Sequence, residues 1–161
     1  MARGGFDRIN NVSMNALARR GMSVGEMSDY LTQREFESDE IQLEIERLCG
    51  VGLLDDSALA ETLVRTLRER KGLGRSAISA ELRRRKVEAS AIEAALDDLE
   101  VGDELQRATE IARKRAPQLR SLDHTTAQRR LGAFLMRKGY SGSVVSAAVS
   151  AALAPSGPVF R

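Results

Sequence analysis

Tryptophan is absent, and aromatic residues altogether make up only 4% of the chain. Large sandwiches and barrels draw on aromatic and β-branched residues to fill their pleated surfaces, so the shortage argues against an all-β fold. Cysteine occurs once, at Cys49, and histidine once, at His124. A single cysteine excludes an internal disulfide, and the pair leaves no ligand set for a zinc site. No apolar run approaches the length of a membrane span. The longest weakly apolar stretch, Val144 to Ala154, is Ala-rich and broken by serines. The opening residues Met1 to Asp7 lack the apolar centre of a signal peptide. These absences lead us to expect a soluble, cytoplasmic protein with no membrane partner, cofactor, metal or catalytic residues; a monomer is the expected state.

What is present is 42% apolar and 30% charged residues in 161, ample for a packed core and too apolar for a disordered chain. Ala, Leu, Arg and Glu dominate, and these lose little on entering a helix. The apolar residues repeat. Met27, Leu31, Phe36, Ile41, Ile45 and Leu48, shifted by 51, become Ile78, Leu82, Val87, Ile92, Leu96 and Leu99. A further shift of 53 gives Leu131, Leu135, Tyr140, Val145, Val149 and Ala152. Arg34, Arg85 and Lys138 align as well, as do Gly21 and Gly72. Within each copy the spacing of one helical turn marks two helices, with Phe36, Val87 or Tyr140 as an apolar plug at the joint. Ser38 is the expected N-cap of the second helix in the first copy.

A leading helix precedes each pair: Asn11 to Arg20, stopped at Gly21; Asp56 to Lys71, stopped at Gly72; and Asp103 to Arg115, stopped by Pro117. The expected fold is therefore all-α: three tandem three-helix repeats forming an elongated, curved array, because each unit alone is too small to bury its own face. The divisions are an N-terminal extension over 1–10, repeats over 11–54, 55–101 and 102–153, and a flexible tail over 154–161.

The net charge of +2 conceals alternating blocks. Ser23 to Glu61 sums to −9, Arg65 to Lys86 to +7, Glu88 to Glu110 to −7 and Arg113 to Lys138 to +7. Such blocks set up local fields whatever the net charge. The basic ones supply candidate contacts for a polyanion or an acidic protein surface: Arg65, Arg68, Arg70, Lys71, Arg75, Arg83, Arg84, Arg85, Lys86, Arg113, Lys114, Arg115, Arg129 and Arg130. With Leu82 facing the core, Arg83 and Arg84 fall about 100° and about 200° away and are exposed, while Arg85 lies at the core edge. The alternative is that these bases form salt bridges with a neighbouring acidic repeat. Without interleaved aromatics, any nucleic-acid contact would run through phosphates and read sequence poorly.

Nothing else suggests chemistry. Cys49 falls on the Ile41/Ile45/Leu48 face and reads as structural, and His124 reads as a helix-start residue. Gly72-Leu73-Gly74-Arg75 is a helix stop, with phosphate binding at the next helix N-terminus as the alternative. In Leu53-Leu54-Asp55-Asp56 the adjacent acids suit the capping of the following helix better than a metal.

Gly52-Leu53-Leu54-Asp55-Asp56, then Ala60 and Val64, Arg70-Lys71-Gly72-Leu73-Gly74, and Ile78 to Val87 together resemble the signature region of the RecX family of regulatory proteins. Ala16 to Gly21 with Ser23, Glu26 and Leu31 resembles that family's opening unit, and Arg130-Leu131 with Phe134 to Tyr140 and Val145 its closing one. The resemblance covers about residues 11 to 153. Leu59 departs from it, standing where the family commonly has an aromatic, which touches packing more than function. The resemblance implies a non-enzymatic modulator that binds the RecA recombinase and its filament on single-stranded DNA. It implies modulation, mostly inhibition, of the filament's ATPase, strand-exchange and co-protease activities, within DNA repair, homologous recombination and the SOS response. A stand-alone basic helical protein binding single- or double-stranded DNA weakly through phosphates is the alternative.

Overall fold

The computed structural model describes residues 3–99 and 101–155; side chains are described from Phe6, and that of Val101 is not among them. Among the described residues there are nine α-helices, one short 3-10 helix and no strand. They are α1 (Arg3–Arg19), α2 (Val24–Gln33), α3 (Ser38–Gly50), α4 (Asp56–Lys71), α5 (Arg75–Arg84), α6 (Ala89–Asp97), α7 (Val101–Arg115), α8 (His124–Arg137) and α9 (Gly142–Leu153). The 3-10 turn Ala116–Leu119 follows α7, where Pro117 cannot continue the α-helix. Most of the tail assigned to 154–161 lies outside the described residues. No described helix is long and apolar enough to cross a membrane.

The repeated apolar positions form the core. All are buried except Ile45 and Ala152, which are partly buried. The plug residue has a specific geometry in every copy. The amides of Phe36, Val87 and Tyr140 donate to the carbonyls of Leu31, Leu82 and Leu135, at 3.3, 3.1 and 3.3 Å. The residue before each plug is left-handed: Glu35 at φ 67°, Lys86 at 55° and Gly139 at 95°. This is a Schellman end, in which a left-handed residue turns the chain and an apolar residue folds back onto the helix it closes.

Three expectations need correction. α1 begins at Arg3, not Asn11, because Ile9 is 2% exposed and anchors the earlier turns in the core. Ser38 is the first residue of α3 rather than its cap; Glu37 holds that position and makes no side-chain cap bond. The full capping box is one helix earlier, where the Ser23 hydroxyl accepts from the Glu26 amide and the Glu26 carboxylate accepts from the Ser23 amide, both at 3.0 Å. Cys49 is exposed, not on the buried face.

By compactness the chain falls into two units whose borders cut the middle repeat. Unit 1 is Met1–Val64 with Glu81–Ala95, and unit 2 is Arg65–Ala80 with Leu96–Arg161. Unit 1 centres on α1, α2 and α3, and unit 2 on α7, α8 and α9.

In unit 1, Asp56 is 8% exposed, and its carboxylate accepts from the Val24 amide at 2.9 Å and the Glu88 amide at 2.8 Å. One acid thus satisfies orphan donors at the starts of α2 and α6. The neighbouring Asp55 caps α4 by accepting from Ala58 at 3.1 Å. In unit 2, Glu104 plays the corresponding part for α5, accepting from the Arg75 amide at 3.2 Å. Replacing Asp56 with Ala leaves two amides without their acceptor, and the expected loss is about 2–4 kcal/mol. Urea unfolding of Asp56→Ala against Asp55→Ala checks it: the exposed cap at Asp55 should cost only about 1 kcal/mol.

Candidate functional site

Charge separates with the units. Unit 1 contains 10 basic and 15 acidic residues, a net −5; unit 2 contains 15 basic and 8 acidic residues, a net +7. The candidate bases divide along the same line, and their surroundings differ.

In unit 1, the run Arg83 to Lys86 is largely occupied by ion pairs. Arg85 is only 20% exposed in its side chain. Its Nε donates to Glu26 at 3.0 Å and its Nη2 to the Gly21 carbonyl at 2.8 Å. The Ser23 hydroxyl donates to the Arg85 carbonyl at 2.6 Å, so both ends of that residue bind the start of α2. Lys86 pairs with Asp29, and Arg84 with Glu81 one turn back on its own helix. Arg83 is exposed and has no ion pair among the described residues. The densest basic stretch in the sequence is thus mostly committed to ion pairs within unit 1, with acids of the first repeat and of its own helix.

Glu26 feels this joint most. Burial pushes its carboxyl up, but the Arg85 side chain and the Ser23 amide bond to it, and the charges of Arg85 and Arg20 favour the ionised form. Together they hold it below its usual value. A carboxylate depressed in the fold stabilises it above the unfolded value, and that stabilisation is lost as pH falls through the depressed one. Glu26→Gln is therefore expected to cost about 1–3 kcal/mol near neutral pH and to flatten the decline of stability below the ordinary carboxylate range. Urea midpoints across that range for both proteins measure this.

In unit 2 the bases are mostly unengaged. Arg65, Arg70 and Lys71 on α4, Arg113 and Lys114 on α7, and Arg129 and Arg130 on α8 are exposed. Among the described residues none of them forms an ion pair. Two candidates are otherwise engaged and a third is shielded. Arg115 lies over the Phe134 ring at 4.7 Å. Arg75 donates to the Leu96 carbonyl at 2.7 Å, with Asp97 at 3.6 Å, and so closes the end of α6. Arg68 is half-buried, with Nε and Nη2 shut from solvent, so its fork does not face a ligand.

The start of α5 is not an anion site. Its Gly74 and Ser76 amides donate to the Lys138 and Gly139 carbonyls at 2.7 and 3.2 Å, and the Arg75 amide donates to Glu104. The donors a phosphate would need are taken by the end of α8 and by a carboxylate. Nearby, Tyr140 is 2% exposed and donates to the Gly72 carbonyl at 2.8 Å. Burial, with the charge of Glu104, pushes its phenol up to about 12, so it remains a donor throughout the neutral range. Lys138 donates to the Lys71 carbonyl at 2.8 Å. The sequence marked Tyr140 as an apolar plug, and its hydroxyl bond was not legible there. His124 opens α8 behind the Asp123 cap, as expected. No group of three or more potential metal-ligating side chains gathers among the described residues.

Three family models match the chain in tandem: the first three-helix domain of RecX over residues 11–48, the second over 55–96 and the third over 102–149. The regulatory protein RecX of Mycolicibacterium smegmatis (strain ATCC 700084 / mc(2)155) is 35% identical over 153 residues, covering 92% of this chain and 81% of that protein. The one from Thermobifida fusca (strain YX) is 31% identical over 139 residues, covering 86% and 75%. The crystal structure of RecX from Lactobacillus salivarius has a TM-score of 0.85 at 21% identity, covering 93% of this chain and 97% of that one, a likeness of fold.

Proposed function

The chain belongs to the RecX family of regulatory proteins, and from that premise we propose that it binds the RecA recombinase and its filament on single-stranded DNA. In this reading it restrains ATP hydrolysis, strand exchange and co-protease activity by occupying filament surface, as a cytoplasmic monomer with no catalysis of its own. The observation that supports it is the division of charge: an acidic unit whose bases are largely bound internally, and a basic unit most of whose bases face solvent and, among the described residues, form no ion pair. A filament on DNA offers both a polyanion and protein surfaces, and such a chain has a complement for each.

Cosedimentation with RecA filaments assembled on single-stranded DNA tests the proposal. The protein is expected to pellet with the filament, and to pellet less as salt rises. Its staying in the supernatant at every salt concentration contradicts the reading. The unpaired bases of unit 2 also favour a second reading, DNA binding that does not require RecA. In that case pelleting with bare DNA equals pelleting with the filament.

A further inference from the structure

A groove of about 340 Å³ runs between α2 and α3 in unit 1. Phe36, Ile41 and Ile45 make it apolar, and Thr32, Gln42 and Glu46 line its walls. Its surroundings are acidic. Glu35, Glu37 and Asp39 sit at the α2–α3 joint and Glu46 on the wall, all exposed and none in an ion pair among the described residues. Two bases lie nearby, Arg34 over the Tyr30 ring at 3.7 Å and Arg8 over the Phe36 ring at 4.6 Å, each held by a π-face rather than by these carboxylates.

The third repeat provides an internal comparison. A groove of about 470 Å³ runs between α8 and α9 in unit 2, and the 51- and 53-residue shifts bring the two into register. Ile41 and Ile45 become Val145 and Val149, Glu46 becomes Ser150 and Thr32 becomes Met136, while Arg129, which lines the second groove, aligns with Gly25, outside the lining of the first. The apolar base of the slot recurs, and the one charged lining residue is an acid, Glu46, in the first groove and a base, Arg129, in the second. A slot whose apolar base recurs while its rim changes sign discriminates between partners by charge.

We propose that the α2–α3 groove of unit 1 is a docking site for a segment of a partner protein that presents a large apolar side chain flanked by lysine or arginine. The apolar side chain fills the space beside Phe36 and Ile41, and the flanking cations meet Glu37 and Glu46. This deepens the regulatory reading, resting on it only in assigning the segment to the regulated protein.

The test uses the full chain and two labelled amphipathic peptides of identical leucine pattern, one with lysine and one with glutamate at the polar positions. Fluorescence anisotropy is expected to give at least about tenfold tighter binding of the lysine peptide. Glu37→Lys with Glu46→Lys should abolish that preference. Thr32→Trp, which fills the slot from an exposed wall position, should weaken the lysine peptide at least about fivefold. Met136→Trp in the other groove should leave it unchanged. Equal binding of the two peptides overturns the proposal. So does a lysine peptide that responds to charge reversal but not to Thr32→Trp, because attraction to an acidic surface then explains everything. Circular dichroism confirms that each variant is folded. In a RecA ATPase assay, the Glu37→Lys/Glu46→Lys protein should restrain hydrolysis less than the parent. If the parent itself has no effect, the regulatory reading fails while the peptide result still decides the groove.

Discussion

Gly139→Ala is expected to destabilise unit 2 by about 2–5 kcal/mol and to lower the melting temperature by on the order of 10 °C. An added Cβ would lie 2.4 Å from the Ala77 Cβ and 2.5 Å from its amide nitrogen, contacts that only a backbone shift relieves. Gly139 also has φ 95°, beyond the left-handed region that other residues tolerate. On the facing segment, a Cβ at Gly74 would meet the Gly139 carbonyl at 2.7 Å, so the two backbones cross with no room for a side chain. The crossing carries the bonds from Gly74 and Ser76 to Lys138 and Gly139, and prying it open loosens the end of α8 from the start of α5. Glu35 is the control. It holds the same repeat position at φ 67°, and Glu35→Gly should change stability by less than about 1 kcal/mol. Thermal melts of the three proteins decide the matter, and equal loss at both positions would refute the steric account.

Reversal of Arg113, Lys114, Arg129 and Arg130 to Glu should have the largest effect on ligand binding. It takes unit 2 from +7 to −1. All four side chains are exposed and outside the core, so the fold should persist. If they contact phosphates, affinity for a single-stranded oligonucleotide at low salt should fall by about a hundredfold, and the slope of log affinity against log salt should flatten by about 3. Arg83→Glu in unit 1 should change either quantity by less than about threefold. Retention of full affinity and slope by the quadruple variant would clear unit 2 of the polyanion role.

How far the sequence could be read follows from the range of the interactions involved. The apolar period encodes the helix faces directly, which is why the spacing found the core of every copy, and why the glycine at 72 and proline at 117 marked real helix ends. The caps were read unevenly. Asp55 followed the local rule, whereas Ser38 satisfied it in sequence and not in space. The role of Asp56 joins residues 32 apart in each direction, to Val24 and to Glu88. Glu44 is 2% exposed and accepts from Ser13 at 2.9 Å while pairing with Arg47, yet in sequence it is one more acid in an acidic block. The same limit governs the candidate surface. By density alone, Arg83 to Lys86 is the most basic run in the sequence. Only tertiary distances reveal that Glu26 and Asp29 engage Arg85 and Lys86, while most bases of α4, α7 and α8 are exposed and form no ion pair among the described residues.

Titrating the protein into RecA hydrolysing ATP on single-stranded DNA tests the proposed restraint of the RecA filament most directly. Hydrolysis is expected to fall at protein amounts well below those of RecA, and the quadruple reversal in unit 2 should need far more protein for the same fall. Unchanged hydrolysis across a wide titration with the cognate RecA would contradict it.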